Sequence, residues 1–293
     1  LLFGLIWLLC VLAFAGLALL VGSLRYGTEV IGAGADAVDL PGGMEWLRIG
    51  QLINQFGFFI FPSLIFPLIY YGRNGMTGGL GLGTSSPAKV WLAAILLMVA
   101  ALPLVNALIS WNAALDLPSQ LAGLESWMRE QEDQATRLTS AFLEDASVQG
   151  LLWNALIMAL IPGIGEELLF RANLQPLFIR WTGNRHAGVI LAAFIFSAMH
   201  LQFYGFFPRA LLGLLLGYAF LWTKNLWIPV LMHTLNNLAV VLYSWLSARG
   251  TVDAAPEDIS AFEPGWALIS GSLLLLAALF YLHRESVSAT SSN

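Results

Sequence analysis

Charge is what this sequence has least of: Asp, Glu, Lys and Arg make up 11% of its 293 residues, against 58% hydrophobic residues. Soluble domains carry about 25% charged residues, so the composition excludes an ordinary soluble domain and implies a polytopic membrane protein. Cysteine is nearly absent. Cys10, in an apolar run, is the single one, which removes a disulfide framework and any cysteine-based zinc site. Basic residues are outnumbered, and the net charge of −5 gives no electrostatic footprint for nucleic acid. Lipid-exposed backbone must satisfy its own hydrogen bonds, so the expected fold class is all-α, a transmembrane helix bundle. The sequence opens on Leu1 rather than Met, so its N-terminus is expected to be trimmed.

Long apolar runs are plentiful. Eight are expected to cross the membrane: residues 1–21, 50–71, 90–111, 148–181, 186–203, 207–222, 226–246 and 265–282. The first is too long for the 7–15-residue core of a signal peptide. Residues 25–48 read as a polar, Gly-rich loop, 72–87 as a turn region, 248–264 as an acidic loop and 286–293 as a polar tail. Residues 116–147 hold seven acids and two arginines, with Leu124, Trp127, Met128, Leu138, Phe142 and Leu143 near helical spacing. They predict an amphipathic helical segment lying on or capping the bundle. Four regions result: N-terminal transmembrane helices (1–115), the amphipathic extramembrane segment (116–147), a core (148–247), and an acidic loop, last helix and tail (248–293). Eight spans put both termini on one side. The distribution of Lys and Arg favours the cytoplasmic side, in a bacterial inner (cytoplasmic) membrane.

Chemistry concentrates at Pro162-Gly163-Ile164-Gly165-Glu166-Glu167-Leu168-Leu169-Phe170-Arg171. No charged residue occurs from Val148 to Gly165, and then two adjacent carboxylates appear. Ionised side chains at membrane depth are costly and mark function by default. The Pro-Gly-Ile-Gly lead-in predicts a kinked or interrupted helix, with Glu166 and Glu167 in the first turn of the restarted segment, where the helix dipole favours them. The plainer reading is a helix end reaching water, with Glu167 and Arg171 as an i, i+4 surface pair.

Two membrane histidines extend the pattern. His200 closes Phe196-x-x-x-His200, and His233 opens His233-x-x-x-Asn237, whose ends share a helix face. Taken singly, such a histidine is more often a packing residue. Asn154, Gln202 and Asn236 read as polar ties between helices, and Gly213 and Gly217 form a GxxxG compatible with close packing. Gly183 marks the turn between two expected helices, and Glu166 and His200 each lie 17 residues from it. In an antiparallel hairpin that spacing puts them at one height. A carboxylate, two histidines and an amide in a lipid-shielded cavity suit hydrolysis: the carboxylate can take a proton from water, and imidazole and carboxamide donors can stabilise an oxyanion.

The ordered set Glu166-Glu167-x-x-x-Arg171, Phe196-x-x-x-His200 and His233-x-x-x-Asn237 resembles the CPBP family, the CAAX proteases and bacteriocin-processing enzymes also called Abi. The resemblance covers roughly 151–243. Ala172 stands where many members have Gly, and every polar position matches. The resemblance implies an intramembrane endopeptidase in which Glu166 and His200 activate water, His233 and Asn237 form the oxyanion hole, and Glu167 and Arg171 support the site. It implies a peptide or protein substrate at the membrane and leaves metal dependence open. The sequence lacks the His-Glu-x-x-His of many zinc proteases. No cofactor is the favoured reading, with Zn²⁺ on Glu166, His200 and His233 as the alternative. Two other functional classes fit the composition: a non-catalytic bacteriocin-immunity or scaffold protein that keeps the fold, and a proton-coupled carrier, which would spread ionisable groups along a path.

Overall fold

Residues 1–252 and 264–291 are described by a computed structural model. Among them every regular element is helical. The principal helices are α1 (Leu2–Arg25), α2 (Gly43–Gly79), α3 (Ala88–Ala113), α4 (Ala122–Leu143), α5 (Val148–Thr182), α6 (Arg185–Ala198), α7 (Phe206–Thr223), α8 (Trp227–Ala248) and α9 (Pro264–Ser291). The chain is a polytopic helical bundle, as the composition requires.

The count of spans differs from the expected eight. Among the described residues six helical stretches are long and apolar enough to cross a membrane: α1, α2, α3, α5, Phe203–Thr223 and Leu268–Glu285 within α9. The fifth expected span, 186–203, is cut to α6, a helix of 14 residues. At 1.5 Å per residue it reaches only about 21 Å, short of a hydrocarbon core of about 30 Å. The seventh, α8, is long enough but is diluted by His233, Asn236 and Asn237. The two helices that fall outside the count are thus the one leading to His200 and the one carrying His233.

Other boundaries also move. The loop expected at 25–48 contains two short helical pieces, Thr28–Gly32 and Gly34–Asp39. The turn region expected from 72 is helical to Gly79, after a break at Gly72 (φ 71°, ψ 172°). The tail expected from 286 continues α9 to Ser291. Most of the acidic loop, 253–263, lies outside the described residues.

Prolines do not interrupt the long helices as expected. Three six- or seven-residue π segments occur, at Gln55–Ile60 in α2 and at Ala155–Leu160 and Leu168–Leu174 in α5. Pro62, Pro162 and Pro176 each follow the end of one by two residues. Proline removes an N–H and its ring collides with the carbonyl four residues back. An extra residue in the preceding turn relieves both faults, so the helix widens rather than breaks. Glu166 and Glu167 therefore end the α-helical stretch Ile161–Glu167 between two π segments; they do not open a new helix.

In lipid, apolar side chains gain nothing by leaving the bilayer for the protein interior, so helices pack through small residues and polar ties. The main core follows that rule. Ala93, Ala94, Ala100 and Ala101 of α3 meet Leu215, Leu216 and Ala219 of α7, Ile228 and Met232 of α8, and Leu275 and Leu282 of α9. Leu5, Leu9, Leu12 and Leu19 of α1 stay exposed, as a lipid-facing helix requires. The glycines of Pro162-Gly163-Ile164-Gly165 act in packing. A Cβ on Gly163 would lie 2.2 Å from Thr234 Oγ1 of α8, and one on Gly165 would lie 3.1 Å from Phe59 and Ile60 of α2. They let α5 sit against both helices at the level of the carboxylates.

Candidate active site

The hairpin that was to align Glu166 with His200 is present. Gly183 adopts the left-handed conformation at the end of α5, and the Asn184 side chain accepts hydrogen bonds from the N–H groups of His186 and Ala187 to start α6. His200 lies two residues past the end of α6, in a turn rather than inside a span. Glu166 and His200 line one cavity of about 360 Å³, together with residues of α2, α4 and α5.

The neighbouring carboxylate has a different place. Glu167 is fully buried, and its Oε1 accepts from Arg171 Nη1 at 2.7 Å and from His233 Nδ1 at 2.8 Å. A carboxylate cannot donate while ionised, so Nδ1 carries the hydrogen and His233 Nε2 is turned the other way, 3.9 Å from Glu166 Oε2. Arg171, 1% exposed, also donates to the Gly213 carbonyl at 3.1 Å. Its guanidinium stacks over the Phe196 ring, 4.7 Å from the centroid. The surface ion pair of the plainer sequence reading is thus a buried one.

The GxxxG of α7 serves this arrangement. A Cβ on Gly213 would lie 3.0 Å from Ala193 of α6. The close approach leaves carbonyls facing α5, where Gly213 and Gly217 accept from Arg171 and Gln175, one turn apart on each helix. Phe196 is the hub of the cluster. Its ring packs edge-on against Phe170, His200 and His233, with centroids 5.1, 5.1 and 5.7 Å away, and its carbonyl accepts from His200 Nδ1 at 2.8 Å. That bond fixes the tautomer and leaves His200 Nε2 with its lone pair.

Asn237 stands one turn beyond His233 on α8. Its Nδ2 donates to the Met158 carbonyl in the π segment of α5 at 3.2 Å, and its Oδ1 accepts from Asn236 at 3.2 Å. Met158 lines the cavity, so Asn237 reaches the wall from behind. The structure therefore brings Glu166, Glu167, Arg171, His200 and His233 together near Phe196, with Glu166 and His200 lining the cavity and Asn237 tied to its wall through the Met158 carbonyl. No group of three or more His, Cys, Asp or Glu among the described residues is arranged to hold a metal ion. In Glu166, His200 and His233, the alternative Zn²⁺ set, Nδ1 of His233 is engaged by Glu167 and Nδ1 of His200 by a carbonyl, which leaves Nε2 of each ring as the nitrogen a metal would use.

Residues 148–239 match the model of the family described as type II CAAX prenyl endopeptidase Rce1-like. These residues are similar to an Rce1-like domain. The match spans just under a third of the chain and is consistent with a CPBP-family membrane protease. At family level the Rce1-like domain points to an intramembrane endopeptidase of the CAAX-protease type. No curated protein and no solved structure matches the chain.

Several residues around the Rce1-like site carried no sequence signal beyond polarity. The turn that holds His200 is pinned from three helices. Glu132 of α4 accepts from Tyr204 N at 3.1 Å and from Gln202 Nε2 at 3.5 Å. Asn112 of α3 donates to the Phe203 carbonyl and accepts from Phe207 N. Arg209 of α7 donates to the Gln202 carbonyl and side chain, both at 3.1 Å. Gln202 and Asn154, read as polar ties, are such ties; Asn154 donates to the Phe142 carbonyl at the end of α4. Glu132, Asn112 and Arg209 read in the sequence as isolated polar residues far apart.

Proposed function

We propose that this protein is an intramembrane endopeptidase that hydrolyses a peptide bond of a membrane-associated peptide or protein. The observation that carries the reading is the division of labour between adjacent carboxylates. Glu167 is locked through its Oε1 to Arg171 and His233, while Glu166 lines the cavity with His200; the Oε2 of each is buried without a hydrogen-bond partner among the described residues.

In this reading Glu166 takes a proton from water as the oxygen attacks the substrate carbonyl carbon. His200 Nε2, in the same cavity, orients that water. The carbonyl π electrons move onto oxygen, and His233 and Asn237 stabilise the oxyanion with N–H donors. His233 donates from Nε2 when both ring nitrogens carry hydrogen, since Nδ1–H is held on Glu167. When the tetrahedral species collapses, the C–N bond breaks and the proton held by Glu166 passes to the leaving amine. Glu167 and Arg171 act through His233, holding its ring in place. The water is activated without metal, and the protein works in a bacterial inner membrane with lipid as its surroundings.

The test is cleavage of a quenched fluorogenic peptide library by the purified protein in proteoliposomes, before and after exhaustive chelation. Activity that survives chelation and is lost in Glu166→Gln supports the reading. Loss on chelation with recovery on stoichiometric Zn²⁺ would replace the metal-free mechanism. Full activity in Glu166→Gln would remove the peptidase reading and leave a scaffold or immunity role.

A further inference from the structure

Three amides share the cavity with Glu166. Gln51, Asn54 and Gln55 of α2 line it, all within about one helical turn, where α2 passes into its first π segment. None of the three lies in the residues matched by the Rce1-like family. Gln55 is 3% exposed, and its Oε1 has no hydrogen-bond partner among the described residues. That oxygen lies 3.6 Å from where a Cβ would stand on Gly165, the residue before Glu166. Gln55 and Glu166, each with a buried acceptor that has no partner among the described residues, line one cavity. A buried polar group left unpaired costs about 1–3 kcal/mol, so a donor brought into the cavity within reach of either acceptor would be favoured.

We infer that Gln51, Asn54 and Gln55 form a peptide-backbone subsite, in which Gln55 accepts a substrate N–H and the neighbouring amides pair with the flanking peptide groups. The inference rests on the proposed peptidase reading and names how that site holds its substrate. A carboxamide carries the same acceptor and N–H donors as a peptide group. It can pair with backbone without adding charge beside Glu166, the single Asp, Glu, Lys or Arg lining the cavity. Gln51 and Gln55 are spaced i, i+4 and so share a face of α2. An extended segment laid along that face would present its backbone to the amides and its carbonyl to Glu166 and His200.

The experiment is a cycle between protein and substrate backbone. The peptide best cleaved by the wild-type protein is remade as a series of depsipeptides, each with one non-scissile amide N–H replaced by ester oxygen. One such ester should cost the wild type about tenfold in kcat/KM, mostly through KM, the size of a single hydrogen bond. Gln55→Leu should lose about tenfold on the all-amide peptide and nothing further on that ester. Gln55→Leu with wild-type kcat/KM, or losses that multiply at every ester position, would overturn the subsite. Should Gln55→Leu fail to fold, Gln51→Leu and Asn54→Ala carry the same cycle, and multiplying losses in both overturn it equally. Glu166→Gln is run alongside. If it cleaves like wild type, the peptidase reading has failed; if it is inactive while the amide variants are indifferent, the subsite alone has failed.

Discussion

Glu166 and Glu167 are adjacent in the chain and have opposite surroundings. One lines a cavity; the other is sealed among Arg171, His233 and the packing around Phe196, and each keeps one oxygen unpaired among the described residues. Successive helical residues point about 100° apart, so one doublet can serve two helix faces. The lesson is that a carboxylate pair in a membrane helix need not be a pair functionally. Here one member lines the cavity and the other is held in the packing behind it.

The sharpest way to break that contrast is to neutralise each member. Glu166→Gln should lower kcat by about 10²–10⁴-fold with an unchanged melting temperature, read by peptide cleavage and thermal denaturation in one detergent. Equal destabilisation by Glu166→Gln would show that both carboxylates are scaffold. Arg171→Ala should do the reverse and act first on folding. Removing one partner of a buried ion pair costs about 3–5 kcal/mol, so the variant should express poorly and melt well below wild type. Arg171→Lys should recover little of this, since a single ammonium lacks the planar fork that reaches both Glu167 and the Gly213 carbonyl. A stable, folded Arg171→Ala protein would mean that Glu167 is not held as described.

A smaller effect is expected where α4 meets the site. Ala135, Leu138, Thr139 and Phe142 of α4 line the cavity, and Glu132 one turn earlier holds the His200 turn. Glu132→Ala should lower kcat up to about tenfold, the scale of a hydrogen bond to a charged group. Stability should change little, and Glu132→Gln should recover part of the loss. An unchanged kcat in Glu132→Ala would show that the turn is positioned by Asn112 and Arg209 alone.

The smallest effect should come from acid. Asp145, between α4 and α5, accepts from the Ser147 hydroxyl and from Arg48 of α2. These contacts, the Ser147 bond first, hold its carboxyl below the ordinary value of 3.8. A carboxylate depressed on folding adds stability above its unfolded value and loses it as pH falls through the folded one. The tie should therefore persist at neutral pH and weaken only below about pH 4. Asp145→Asn should flatten that part of a melting-temperature profile, and an identical acid limb in the variant would exclude Asp145 as its source.

Much of the site was legible in residue order because its chemistry needs fixed residue types at fixed helical spacing. Glu167 and Arg171 had to be i, i+4, and equal distances from Gly183 had to bring Glu166 and His200 towards one level. The effect of the prolines was less legible. Pro162 alone suggests a break, and only the π segment before it shows how the helix absorbs the ring. His200 was placed inside a span because its neighbours are apolar, whereas bonds from Asn112, Glu132 and Arg209, on three other helices, end the helix before it and hold the turn.

By itself the sequence determined that this chain is helical and membrane-embedded and which polar residues form the motif set. Composition and local periodicity suffice for that, since lipid permits few backbone solutions. Only the tertiary structure decided which glutamate faces the cavity, that the second carboxylate, Arg171 and His233 form one buried cluster, and that Gln51, Asn54 and Gln55 face the site from a helix more than a hundred residues away in the chain. Those outcomes depend on how deeply each helix is set and which face it turns inward. They are fixed by close contacts at Gly163, Gly165 and Gly213 and by hydrogen bonds between distant helices, neither of which leaves a local pattern in the sequence.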